Sequence, residues 1–472
     1  MFWLNTSADC SNTMILSDGD HVISLRRQVN CCLELLRQYN WLINSFVLDF
    51  FNENHWQTLP RSWQEFLRDL SSEELAAWLD NDDSGLKPSS KPWPLSLMAL
   101  KQSIRNLSLN RSPVSDLSHV GSYMKDILGD KLDNDQDTND IVASQWQFDP
   151  ELMSGGSKHH QSLRHVFRKH VKPKKQYELC RLGKLASSVA DNLGLDNVLD
   201  IGSGVGHLSR YLCYNYKLSV ACVDGDNSLT VSARKLDEEL EKTVEKMSRW
   251  TVNRTEMELP PSPVHVTAHV SPDMNLNTFY ALLRDSLNLR GDSLHYGLVG
   301  LHTCGDLASV LLRMFSRDPA SVMINSLGCC YMKIIQHWPM SRHVKETPWH
   351  ALNYTSTELA CHAIEVYVER LRLREEGEKL KVHCYRAVLE KILIQRDVKF
   401  RHTILKTVPK SHLLTFPDYV KRATVNLVKD AGLNPFSEDD LNNSEVNEEL
   451  GQWWKVVIFY SLRLAFAPVI GK

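Results

Sequence analysis

The sequence predicts an α/β protein: a doubly wound, mostly parallel sheet with helices on both faces, preceded by a helical domain. Three observations predict it. Val198-Leu199-Asp200-Ile201 is a β-branched and aliphatic run followed by Gly202-Ser203-Gly204-Val205-Gly206, after which Leu208, Tyr211 and Leu212 fall on one helical face. From there to Leu327 strand-like and helix-like stretches alternate, the pattern of a parallel sheet. The first hundred residues carry only helical periodicity.

In chain order, His21 to Phe51 places Leu25, Val29, Cys32, Leu33 and Leu36 at helical spacing. Pro60 to Leu79 predicts one or two further helices carrying Trp63, Phe66, Leu70, Leu75 and Trp78, and Ser71-Ser72-Glu73-Glu74 is a helix start. Asp80 to Pro94 is turn-rich, and Leu95 to Ile104 is helical again. Residues 1–127 are therefore assigned to a helical accessory domain whose aromatic stripe reads as packing core rather than a docking groove. Residues 128–145 are acidic and poor in apolar side chains, which predicts a linker. Residues 146–472 take the sheet, with a helical insertion at about 339–451.

The charge reverses after the linker. Between Ser157 and Gln176 there is no acid, while Lys158, Arg164, Arg168, Lys169, Lys172, Lys174 and Lys175 occur. Such a stretch is either a solvated helix face or a lip for phosphate, since Lys and Arg contacts with phosphate give affinity for nucleic acid independent of base sequence. It directly precedes a helix, Gln176 to Asn192, that leads into the glycine turn.

A net charge of −3 over 472 residues gives no global pull toward polyanions, and no DNA-binding signature is present. Hydrophobic residues make up 43%, enough for a sizeable core. Eleven cysteines without a secretory leader predict reduced thiols and an intracellular, cytoplasmic or nuclear location. The pairs Cys31-Cys32 and Cys329-Cys330 lack the C-x-x-C spacing of zinc sites, and no metal is assigned. Trp453 to Ile470 is apolar but holds Lys455, Arg463 and Pro468, which predicts a buried helix rather than a membrane span.

The glycine spacing selects the ligand class. A dinucleotide turn reads G-x-G-x-x-G, whereas here His207 stands in the place of the third glycine, which disfavours a nicotinamide oxidoreductase. The pattern D-x-G-x-G-x-G resembles the first motif of class I, Rossmann-like S-adenosylmethionine (SAM) methyltransferases. Leu218 to Val223 is a second strand that ends at Asp224, about twenty residues past the turn, where an acid grips a ribose diol. SAM is thus the expected cofactor, held by Asp200, Gly202, Gly204, Gly206 and Asp224.

Val264 to Val270, Tyr296 to Leu301 and Ser321 to Leu327 are the remaining predicted strands, and Leu276 to Leu287 and Leu307 to Phe315 are helices between them. At the strand ends stand His302-Thr303-Cys304-Gly305-Asp306 and Gly328-Cys329-Cys330-Tyr331. His302 and Asp306 are the candidate acid–base pair, His302 being the residue type that titrates near neutrality, and a capping or packing role is the alternative. Cys304, Cys329 and Cys330 read as nucleophiles, as a soft metal site with His302, or as small buried side chains, and neither chemical role is favoured.

Four segments carry a family resemblance: Lys172-Pro-Lys-Lys-Gln-Tyr-Glu178, His302-Thr-Cys-Gly-Asp-Leu307, Gly328-Cys-Cys-Tyr-Met-Lys333 and Glu358-Leu-Ala-Cys-His-Ala363. Together they resemble the methyltransferase-like 25 family from about Trp146 onward, and within it the branch named for a ribosomal RNA adenine dimethylase domain. A more distant likeness is to tRNA ribose 2′-O-methyltransferases. The resemblance implies a SAM-binding core. The Asn/Asp-Pro-Pro-aromatic segment of adenine-N6 methyltransferases is absent where His302-Thr-Cys-Gly stands, which argues against adenine dimethylation. Family members continue past Ala467-Pro468-Val469 with an apolar helix and a final strand, so the stop at Lys472 predicts an incomplete sheet edge. The expected activity is SAM-dependent methyl transfer, with RNA as acceptor through residues 158–175 and Lys172, Lys174 and Lys175 as its phosphate contacts. The rivals are a protein acceptor and a SAM-fold binding protein without transfer.

Overall fold

The structure, a computed structural model, describes residues 2–4, 19–80, 92–108, 171–250, 262–271, isolated positions from 273 to 284, 295–335, 339–373 and 377–471. The chain folds as two compact units. Met1–Gly19 and Ser112–Met340 form one, and Asp20–Arg111 and Ser341–Lys472 the other.

The first unit is built on six strands: β1 (Phe2–Leu4), β2 (Asn197–Ile201), β3 (Ser219–Asp224), β4 (Val264–Thr267), β5 (Tyr296–Leu301) and β6 (Ser321–Leu327). Their order is β1-β6-β5-β2-β3-β4, and β2 to β6 run parallel. The chain leaves β2 toward β3 and β4, then returns to the other side of β2 for β5 and β6. This reversal opens a crevice at the carboxyl ends of β2 and β5, where ligands of doubly wound sheets bind.

Neighbouring side chains along each strand go to opposite faces. Val198, Val220, Val299 and Met323 pack with Leu182, Ala186 and Val189 of the helix Pro173–Asn192 and with Leu208 and Leu212 of the helix His207–Tyr216. Leu199, Ala221, Leu298 and Ile324 pack with Val310, Leu311 and Met314 of the helix Asp306–Arg317. This is the expected α/β architecture with both faces covered.

Four expectations need comment. The outer edge of β6 is not left bare, because β1 pairs with it antiparallel, Phe2 opposite Asn325 and Leu4 opposite Met323. An edge strand presents unpaired backbone groups, and a segment from far up the chain satisfies those of β6. The acidic stretch 128–145, the basic residues from Lys158 to Lys169 and most of the helix expected at Leu276 to Leu287 lie outside the described residues.

The domain division also differs from the one expected. The helices after Ser341 are not an insertion in the sheet unit; they share one core with those before Arg111. Leu42, Ile43, Trp63, Leu75, Leu97 and Leu100 meet Val388, Leu389, Val456, Phe459 and Phe466 in that core. Apolar periodicity tells which helix face is buried, not which partner buries it. Ser71 and Glu74 form a capping box on the helix Ser72–Leu79, Glu74 N–H donating to Ser71 Oγ and Ser71 N–H to Glu74 Oε2.

Trp453–Ile470 is long and apolar enough by length and composition to cross a membrane, and 67% of it is buried inside the structure. Its Arg463 is 3% exposed and donates to the carbonyls of Leu42 and Ile43, the last residues of the short helix Asn40–Ile43. A guanidinium here supplements the helix end, where Leu42 O also accepts Ser45 N–H at 3.3 Å. Burial pulls Arg463 down to about 10.

Trp63 anchors this core, being 1% exposed with its Nε1–H donating to Ser96 Oγ at 2.8 Å. Trp63→Ala is expected to destabilise the helical unit by about 3–5 kcal/mol, read as a lower urea midpoint by far-ultraviolet circular dichroism. A loss below about 1 kcal/mol would show that the two halves do not share this core.

Candidate functional site

β2 ends in the glycine turn, and the turn is left-handed at all three glycines. Gly202, Gly204 and Gly206 have φ of +70°, +57° and +74°. A Cβ on Gly206 would stand 2.9 Å from His265 Cε1, so that glycine is required by packing beneath the turn. A Cβ on Gly204 would meet nothing within 4 Å, so the turn faces open space there. The helix His207–Tyr216 follows with Gly206 as its N-cap and no capping side chain, and such an end presents backbone N–H groups to a ligand.

The turn is held from below by a buried charged network. Arg210, 5% exposed, donates from Nη2 to Val205 O at 2.5 Å and from Nη1 to Asp237 Oδ1 at 2.7 Å. Asp237 also lies 2.5 Å from His265 Nε2 through Oδ2. One carboxylate therefore ties the helix Asn227–Trp250 to the turn through Arg210 and to β4 through His265. His207, standing where a dinucleotide fold has its third glycine, places Nδ1 3.3 Å from Arg210 Nη2.

The two acids assigned to cofactor binding part company. Asp224, at the end of β3, accepts Gly204 N–H at 2.8 Å and Asp226 N–H at 2.9 Å, one on each oxygen. A carboxylate has about four acceptor sites, so Asp224 retains capacity for hydroxyl donors beside the open turn. Asp200 is 1% exposed and accepts from Ser209 Oγ at 2.5 Å. It braces the strand against the helix that follows, beneath the turn where the sequence places a cofactor contact. Burial pushes its carboxyl up to about 7, against the bond from Ser209 and with the charge of Asp224.

A second constellation forms where β5 and β6 end. His302 has φ +69°, Gly305 φ +64°, and His302 N–H donates to Leu327 O at 2.8 Å. His302 Nε2 lies 2.9 Å from Glu178 Oε2, and its Nδ1 lies 3.4 Å from Cys329 Sγ. Asp306 opens the helix Asp306–Arg317, and its Oδ1 accepts Ile335 N–H at 2.9 Å. Both candidate acid–base groups are thus engaged in contacts, and Asp306 ties the loop at Ile335 to the start of its helix rather than capping it.

Three cysteines that sequence spacing left apart come together here. Cys304 Sγ lies 3.2 Å from Cys329 Sγ, which lies 3.6 Å from Cys330 Sγ. Burial raises the Cys329 thiol, and its bonds to Cys304 and Cys330 add to this, placing it at about 12. Burial also works to raise Cys304, but the N–H and thiol of Cys329 outweigh it and leave Cys304 below the usual thiol value.

Of the basic residues, Lys172, Lys174 and Lys175 are described, all exposed, at the start of the helix Pro173–Asn192. Lys174 Nζ lies 3.5 Å from Glu178 Oε1, so Glu178 links the basic helix start to His302. Glu178, Asp237 and Arg210 were not singled out as site residues. Glu178 does stand four residues after Lys174, the spacing of a helical ion pair, which was the available signal.

The strand order, the glycine turn and the acid closing β3 define an α/β class I methyltransferase fold. Residues 171–337 match a family described as "Methyltransferase domain". The chain is similar to methyltransferase-like 25 proteins over part of its length. It is 24% identical to "Probable methyltransferase-like protein 25" of Homo sapiens over 384 residues, covering 56% of this chain and 62% of that protein. It is 38% identical to the Mus musculus protein of the same description over 69 residues, 15% of this chain and 12% of that one. The chain spans less than two thirds of the length of these relatives. No solved structure matches it.

Burial of Asp200 makes stability depend on pH. Its folded value is about 7 against an ordinary 3.8, so between these values the unfolded chain binds fewer protons and stability falls as pH rises, levelling above about 7. Asp200→Asn lacks this loss. Its stability relative to the parent is expected to improve by about 1 kcal/mol per pH unit between pH ~4 and pH ~7, measured by urea denaturation. A difference independent of pH would mean that Asp200 is ionised in the folded chain.

Proposed function

We propose that this chain is a SAM-dependent methyltransferase whose acceptor is RNA. The observation that carries the cofactor reading is the open glycine turn at Gly204 with the Asp224 carboxylate beside it. A nucleoside fits these residues: left-handed glycines let the backbone approach closely, and a carboxylate with spare acceptor sites takes the two hydroxyls of a ribose. Gly202, Gly204 and Gly206 would cradle the cofactor and Asp224 would hold its ribose, with Asp200, Arg210 and Asp237 positioning the turn. When bound, SAM supplies a methyl group on a sulfonium, electrophilic toward an acceptor lone pair.

The chain's own residues contribute alignment and exclusion of water, which are what such a transfer chiefly needs. A base is required only where the acceptor keeps its proton, and His302 and Asp306 both stand in contact with neighbouring groups, the first beside Glu178 and Cys329, the second bonded to Ile335 N–H. That fact supports a second reading, a SAM-fold binding protein without transfer. The RNA reading draws on the run of cations ending at Lys172, Lys174 and Lys175 and on its link through Glu178 to the strand ends. An intracellular location accords with the free cysteines.

Calorimetric titration of the chain with SAM and its demethylated product tests the cofactor. Gly204→Val is expected to abolish binding, since a branched side chain would fill the open space and is strained at φ +57°. Asp224→Ala is expected to weaken it by about 1–3 kcal/mol. Equal affinity in both variants would overturn the site.

The acceptor is tested by transfer of labelled methyl from SAM to RNA and to protein fractions. Lys172→Glu with Lys175→Glu is expected to lower RNA methylation at least about tenfold and to flatten its dependence on salt. Unchanged transfer would turn the reading to a protein acceptor.

A further inference from the structure

We propose that Cys304, Cys329, Cys330 and Nδ1 of His302 form a binding site for one zinc ion, clamping the end of β5 to the end of β6. The three thiol sulfurs all lie within 4.8 Å of one another. With Zn–S bonds of about 2.3 Å, the edge of a tetrahedral thiolate site is about 3.8 Å. The sulfur separations of 3.2 Å and 3.6 Å are those of three ligands gathered round one centre, while His302 Nδ1, 3.4 Å from Cys329 Sγ, stands at the edge of that group and would close on the ion as fourth ligand. Both sulfur separations are too long for a disulfide, whose bond is about 2.0 Å.

The orientation of His302 is the second observation. Its Nε2 lies 2.9 Å from Glu178 Oε2, close but not aligned as a hydrogen bond, and metal binding requires the proton of the neutral ring on that nitrogen. Nδ1 then carries a lone pair and points at the cysteine cluster. A carboxylate behind the distal nitrogen of a histidine is how metal-binding imidazoles are oriented.

The backbone is shaped for the same purpose. His302 at φ +69° is a side-chain-bearing residue in the left-handed region, and Gly305 at φ +64° closes the loop. Between them the loop brings Cys304 under the N–H of Cys329, which donates to its sulfur at 3.3 Å. Three thiolates and an imidazole are a soft donor set that selects zinc over calcium or magnesium. Binding releases three thiol protons to solvent and leaves the site with a net charge of −1. Cys329 is exposed, which gives the ion a route in.

A clamp here reaches the glycine turn. Leu307, three residues past Cys304, has Cδ2 3.1 Å from where a Cβ on Gly202 would stand, and Lys333 O would lie 2.9 Å from a Cβ on Gly305. Fixing this loop fixes one wall of the turn. The inference does not depend on what the turn binds.

The test is titration of the reduced, metal-free full chain with zinc and with cobalt(II), in the absence of SAM. One equivalent is expected to bind, and cobalt is expected to give the intense near-ultraviolet absorption of thiolate-to-metal charge transfer. Cys329→Ser, at an exposed position, is expected to lower affinity by more than about 100-fold while circular dichroism stays unchanged. Glu178→Gln, which keeps every ligand, is expected to lower it by about 10- to 100-fold. Cys31→Ser, an exposed cysteine in the helical unit, should leave it unaltered. A folded parent chain that binds neither ion, a cobalt spectrum without thiolate absorption, or equal affinity in Cys329→Ser would overturn the proposal.

Discussion

The buried pair of Arg210 and Asp237 is the interaction on which the crevice depends. Side chains 6% and 7% exposed hold opposite charges in contact, and each has further partners: the Val205 and Ala233 carbonyls for the arginine, His265 for the acid. Removing one member of such a pair strands the other charge and costs about 3–5 kcal/mol. Here it would also free the carbonyl that gives the glycine turn its curvature. Glycine permits the left-handed backbone, but permission alone leaves the turn many shapes. Arg210 on Val205 O and Asp224 on Gly204 N–H together hold one of them.

Much of the sheet was legible in the sequence. β2, β3, β5 and β6 fall where β-branched runs predicted them, because period-two burial is a local signal that the sheet only confirms. The glycine turn was legible for the same reason. What was hidden is long-range. Asp237 sits in a highly charged helix whose face reads as solvent, and only the fold reveals that one acid in it turns inward. The three cysteines lie on two loops, 25 residues apart at the nearest, and become a cluster only because β5 and β6 are neighbours. The helices after Ser341 carried their apolar faces openly, but nothing in those faces named residues 20–111 as the partner.

Asp200 and Asp224 show how one fold gives two chemically identical groups different work. They stand near the ends of adjacent strands, Asp200 opposite Cys222 and so two residues short of Asp224 in register. Asp200 lies under the turn, loses its water and stays protonated up to near neutrality. Asp224 stands at the rim and takes backbone donors from both flanking loops. The first stabilises the scaffold and the second faces outward. A motif read as letters counts both as ligands of the cofactor, while burial separates them.

The two-part helical unit bears on the order in which the protein is made. Arg463 reaches the Leu42 carbonyl across 421 residues, and nearly everything between Arg111 and Ser341 belongs to the other unit. As the chain leaves the ribosome, Leu42, Trp63 and Leu75 emerge first and stay without their later partners until the whole sheet unit has been synthesised. Domains generally fold in the order they are translated, but this one must wait for its second half with apolar surface exposed. A segment made before the sheet unit is therefore buried only after it, and the interval of exposure is set by the connectivity.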